Sequence, residues 1–105
     1  MKKVEIKVLR KCFHADLAEE YLTDEKDAGP CPLIEEGDSF LYEGSAIMPD
    51  GFCPWAWIDV YRAVNAISLG ATYTPWQKKE GTTIQCCPDG VRPVIFAIKA
   101  EEEIE

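Results

Sequence analysis

The stretch beginning at Pro54 constrains this chain more than any other. Proline suits the first helical position, where its missing N–H would have no partner in any case. Trp57, Tyr61, Val64 and Ile67 or Ser68 follow at helical spacing. Asp59, Arg62 and Asn65 form only a narrow polar stripe, and Gly70 supplies a stop. Cys53 then stands at or beside the N-cap. A helix with so little polar surface must be covered along most of its length, and in 105 residues the covering layer is a small sheet.

The strands for that sheet are visible on both sides of the helix. Val4, Ile6 and Val8 alternate with Lys3, Glu5 and Lys7, the period-two pattern of a strand with one buried face. From His14 to Leu22, the residues Leu17, Ala18, Tyr21 and Leu22 recur at helical spacing with Glu19 and Glu20 turned outward, which predicts a short amphipathic helix. Residues 23–37 contain Gly29-Pro30-Cys31-Pro32 and read as an ordered loop. Asp38 to Glu43 predicts a short strand, and Gly44 to Gly51 a turn-rich loop. After a loop containing Trp76, Thr82 to Cys87 and Arg92 to Lys99 read as an antiparallel hairpin turned by Pro88-Asp89-Gly90. The expectation is a single α+β domain, 1–105, in the order β-α-β-α-β-β, with one long helix on a small, mostly antiparallel sheet. Residues 100–105, closing in Glu-Glu-Glu-Ile-Glu, are expected to form a frayed acidic tail.

Hydrophobic residues at 47% and charged ones at 29% are ordinary globular usage. A net charge of −8 repels phosphate backbones and anionic lipid, so neither nucleic acid nor membrane is an expected partner. The N-terminal alternation interrupts any apolar export-signal core, and Trp55 to Leu69 is too short and too polar to span a bilayer. A cytoplasmic protein is expected, with five reduced cysteines.

Three of those cysteines precede proline: Cys31-Pro32, Cys53-Pro54 and Cys87-Pro88. Five cysteines and seven prolines scattered at random would give about 0.3 such pairs. A following proline restricts the cysteine's backbone and stiffens the chain after it, which holds a thiol in one direction at little further entropic cost. All three steps fall where a predicted element starts or ends, so the thiols can converge at one end of the sheet, as a thiolate site for a metal ion or an iron–sulfur cluster requires. Cys31, Cys53 and Cys87 are the candidate ligands, with Cys12 or Cys86 as a possible fourth.

Other features weigh against a conventional site. No C-x-x-C pair supplies the usual zinc knuckle, and a single histidine, His14, removes two-Cys, two-His schemes. Cysteine also packs as a small hydrophobe, the simpler reading for Cys86, which shares a face with Ile84, and for Cys12. Cys53, at a helix N-terminus, sits in a field that favours thiolate, but the only histidine is near Cys12 in sequence, so Cys–His catalysis is not expected. Trp55, Trp57 and Trp76 read as core, or as a dry shell around the thiols. Glu19 with Glu20 and Glu35 with Glu36 read as solvated surface.

Gly29-Pro30-Cys31-Pro32 with Glu36-Gly37-Asp38, then Gly51-Phe52-Cys53-Pro54-Trp55-Ala56-Trp57, then Cys87-Pro88-Asp89-Gly90-Val91-Arg92-Pro93-Val94 resemble a family of short uncharacterised microbial proteins described as an uncharacterised repeat protein. The resemblance runs from about Val4 to Lys99. It implies a small cytoplasmic domain, standalone or in tandem, with no established activity. It also implies that Cys31, Cys53 and Cys87 belong to the pattern, while Cys12 and Cys86 are optional. Three function classes remain: a thiolate site binding a metal ion or iron–sulfur cluster, a structural or protein-interaction module that can self-associate, and a thiol redox protein. An enzyme is the less expected outcome.

Overall fold

The computed structural model describes residues 1–23 and 29–103. Its elements are β1 (Lys2–Lys11), α1 (Ala15–Tyr21), β2 (Ser39–Tyr42), α2 (Pro54–Ser68), β3 (Thr82–Cys86) and β4 (Val94–Glu103). The strands form one sheet in the order β2-β1-β4-β3, antiparallel throughout. The chain is thus a single α+β domain in the order β-α-β-α-β-β. Among the described residues, no helix is long and apolar enough to cross a membrane.

Alternation builds the core directly. Val4, Ile6 and Val8 of β1, Tyr42 of β2, Thr83 of β3, and Val94, Phe96 and Ile98 of β4 are all buried, as expected when every second side chain turns to one face. α2 covers that face with Ala56, Val60, Ala63, Val64 and Ile67. Each buried Val, Ile or Phe contributes about 1.5–3 kcal/mol by leaving water, so this layer carries most of the fold's stability. Trp57 and Tyr61 flank the buried line of α2 and pack against Tyr42, at ring-centroid distances of 5.7 and 6.3 Å. On the open face, Glu5 lies opposite Lys99 of β4 and accepts a 2.8 Å hydrogen bond from Ser39 of β2. Gly70, with φ +95°, follows the C-cap Leu69 and turns the chain off the helix.

Several boundaries differ from the sequence reading. β4 does not stop at Lys99: it continues through Glu103, pairing Ala100 with Val4 and Glu103 with Lys2, so Ala100–Glu103 are strand and not a frayed tail. The last two residues of that expected tail lie outside the described residues, as does part of the expected 23–37 loop, residues 24–28. Trp55 and Trp76 are not core, being 74% and 77% exposed, because Trp55 falls out of phase with the buried line of α2 and Trp76 lies in the loop before β3. Cys86 is exposed and does not pack as a small hydrophobe.

Candidate functional site: a thiol-lined pocket at the start of the long helix

Three chain segments end in one place. A cavity of about 250 Å³ is walled by Cys31, Cys53 and Cys87, with Pro32 and Pro88 beside their cysteines and Ala56 from the first turn of α2. The three Cys-Pro residues therefore line one cavity, although 22 and 34 residues separate them along the chain, and each is also packed against the edge of the hydrophobic core. Leu33 and Trp55 also line it and are 68% and 74% exposed, so the mouth is apolar and open to solvent. The remaining lining residues are Asp89 and Arg92. All five cysteines are free thiols.

Each thiol is positioned differently. Cys53 is the N-cap of α2, with extended backbone and Pro54 at the first helical position. Its carbonyl accepts the Trp57 N–H at 2.9 Å, so the first helical hydrogen bond fixes it. Cys87 follows the last residue of β3. Its N–H donates to Val94 O at 3.1 Å, as in a continuing ladder, but the Val94 N–H donates to Cys87 Sγ at 3.3 Å. Sulfur takes the place that a ladder carbonyl would have, and the thiol itself faces Arg92 O at 4.0 Å. Asp89 closes the loop between them: its Oδ1 accepts the N–H groups of Val91 at 2.8 Å and Arg92 at 2.9 Å. Pro93 and Val91 carbonyls accept the N–H groups of Cys12 and His14, at 2.8 and 2.9 Å, which ties this loop to the end of β1.

Cys31 hangs on a different set of contacts. Beyond it Ile34 is buried in the core at 4% exposure. Asp38 Oδ2 accepts the Glu35 N–H at 3.0 Å, and Gly37, with φ +91°, donates its N–H to Val8 O at 2.9 Å while Asp38 O accepts from Val8 N at 2.8 Å. Glu36 Oε2 accepts the Lys11 N–H at 3.0 Å, and Glu35 Oε2 accepts from Lys11 Nζ at 3.3 Å. Glu35 and Glu36 are exposed, as expected of solvated surface, and in addition tie the loop to β1.

The possible fourth ligands stand apart. Neither Cys12 nor Cys86 lines the cavity. Partial burial of its sulfur, followed by the neighbouring Cys87 and Cys12 thiols and Asp59, pushes the Cys86 thiol above its ordinary value. That favours the neutral thiol in the metal-free chain. His14, exposed, does not line the cavity either, so no imidazole sits beside these thiols. Among the described residues, no three His, Cys, Asp or Glu side chains are grouped so as to hold a metal ion. One ion gripped by three thiolates needs sulfurs within about 4 Å of one another, given Zn–S near 2.3 Å. The cavity gathers the thiols around a space instead. Comparison with protein-family models, with curated proteins and with solved structures gives no match for this chain.

Proposed function

We propose that this pocket is a thiolate site for a soft metal centre, held by Cys31, Cys53 and Cys87. The observation that carries the reading is the convergence of three sequence-distant Cys-Pro thiols on one apolar cavity. Such a cavity suits a centre larger than a single ion, because a cluster spreads its thiolates over several metal atoms and hence around a wider opening. An iron–sulfur cluster held by these three thiolates, with its remaining position open to a further ligand, is the leading candidate by that argument. A single thiophilic ion would require the three side chains to draw together, since they are not grouped for it as they stand.

The test is metal and acid-labile sulfide analysis of protein purified without oxygen, combined with iodoacetamide labelling read by mass spectrometry. Bound metal is expected in the wild-type chain, lost in Cys31→Ser, Cys53→Ser and Cys87→Ser and kept in Cys12→Ser and Cys86→Ser. Cys53 should label faster after chelation. A metal-free protein whose Cys53 labels equally with and without chelator overturns the proposal.

A second reading has its own support. Leu33 and Trp55 leave two large apolar side chains exposed at the mouth of the pocket, which suits a protein-interaction module. Loss of binding to a captured partner in Leu33→Ser or Trp55→Ser, with no metal in the wild-type chain, would favour it.

A further inference from the structure

The loop from Cys87 to Val94 is built around one carboxylate. Pro88 stiffens its start, Pro93 its end, and between them Asp89 Oδ1 receives two backbone N–H groups, those of Val91 and Arg92, at 2.8 and 2.9 Å. Those two amides fix the turn that returns the chain to Val94, whose N–H lies 3.3 Å from Cys87 Sγ. Asp89 itself lines the cavity with the thiols. Without the carboxylate, both amides lose their partner, and the loop between Pro88 and Val94 is held only by the Cys12 and His14 N–H groups on Pro93 O and Val91 O and by the pairing of Val94 with Lys11. The Val94 N–H would then be free to swing back to the Cys87 carbonyl, the ordinary ladder acceptor.

We infer that Asp89 is the positioning residue of the thiol pocket: its carboxylate holds the turn that brings Val94 N–H onto Cys87 Sγ and keeps that sulfur on the cavity wall. Backbone N–H groups donated to sulfur are among the levers by which a protein tunes a thiolate-bound centre. The inference rests on the reading of the pocket as a thiolate site, but its first readout needs no metal.

That readout is iodoacetamide labelling of the reduced, metal-free protein in a Cys86→Ser background, so that the peptide reports Cys87 alone. Read at alkaline pH, where the thiols are ionised and loss of the Val94 N–H donor no longer limits the thiolate, Asp89→Ala should raise the Cys87 rate about fivefold or more, with Cys31 and Cys53 within about twofold of the parent, as local opening of one loop requires. Asp89→Asn should stay within about twofold at all three thiols, because its amide oxygen can accept the same two bonds. An unchanged Cys87 rate in Asp89→Ala overturns the inference. So does an equal rise at all three thiols, which marks general loosening, or an Asp89→Asn variant that behaves like Asp89→Ala. Should Asp89→Ala fail to fold, hydrogen exchange of the wild-type chain decides: protected Val91 and Arg92 amides support the turn, and exchange at free-peptide rates overturns it. A wild-type chain that takes up no metal refutes the proposed function and leaves this outcome standing.

Discussion

The loops carrying Cys31 and Cys87 both use a local carboxylate and main-chain bonds to β1, but they bring their cysteines to the same cavity with different further ties. The Cys87 loop is closed by main-chain hydrogen bonds and one carboxylate within eight residues, and its carbonyls also pair with the end of β1. The Cys31 loop is fastened by a buried side chain, Ile34, and by two glutamates reaching Lys11 about 25 residues away. One thiol is thus set by local turn chemistry together with main-chain pairing to the end of β1. The other is set by tertiary packing and exposed charge. The difference predicts that the two thiols respond to different perturbations.

Ile34→Ala should have the largest effect. Truncating a buried isoleucine costs about 2–5 kcal/mol, as lost transfer energy plus a cavity. The urea midpoint should fall accordingly, and Cys31 should label faster while the Cys87 rate, compared under fully native conditions, stays near the parent value. If both rates rise together, the two loops are one cooperative unit and the contrast between them is broken.

Lys11→Met should have a smaller effect on the same arm. The variant keeps the apolar stem of a side chain that is 14% exposed and removes its charge, while leaving the backbone bond from Lys11 N–H to Glu36 intact. An ion pair with an exposed partner such as Glu35 is worth less than about 1 kcal/mol. In 1 M salt the Debye length shrinks to about 3 Å, so added salt should reproduce part of the effect in the wild-type chain and none of it in the variant. The readout is again the ratio of Cys31 to Cys87 labelling. A salt-dependent Cys87 rate would place the sensitivity in the wrong loop.

The same contrast explains what the sequence made legible. Strand alternation around Ile6 and the buried line of α2 are periodic, so the sheet, its helix and their packing follow from spacing alone. That Cys31, Cys53 and Cys87 line one cavity was signalled by the excess of Cys-Pro steps, because proline after cysteine restricts backbone locally. The Asp89 turn was within reach too, since Pro-Asp-Gly is a turn signal whose carboxylate commonly takes N–H groups two and three residues on. Ile34, Glu35 and Glu36 were not, because their partners are distant and a run of exposed acids looks the same whether tied or solvated. Ala100–Glu103 misled for a related reason: the acidic side chains suggested a frayed end, whereas the backbone finds its partners in the first residues of β1.

The smallest effect concerns Cys86, which adjoins Cys87 in sequence yet lies outside the pocket. It is exposed, and exposure alone would make it the fastest thiol to alkylate. Iodoacetamide reacts with thiolate, however, and partial burial of the sulfur, then the Cys87 and Cys12 thiols and Asp59, all push the Cys86 thiol up. The sign is therefore towards less thiolate at neutral pH, falling about tenfold for each unit by which the pKa exceeds the working pH. Measured between neutral and strongly alkaline pH, the Cys86 rate should go on rising after that of a free cysteine peptide has levelled off. Cys87→Ser removes the neighbouring thiol that, after burial, pushes Cys86 up most, and should move the profile towards lower pH with no measurable change in stability from the titration itself. Asp59→Asn, acting through the last of the causes, should move it less. A Cys86 profile that levels off with the free peptide, or one that Cys87→Ser leaves in place, would mean that the thiols on the two sides of this strand end do not sense each other. The separation of Cys86 from the pocket would then rest on position alone.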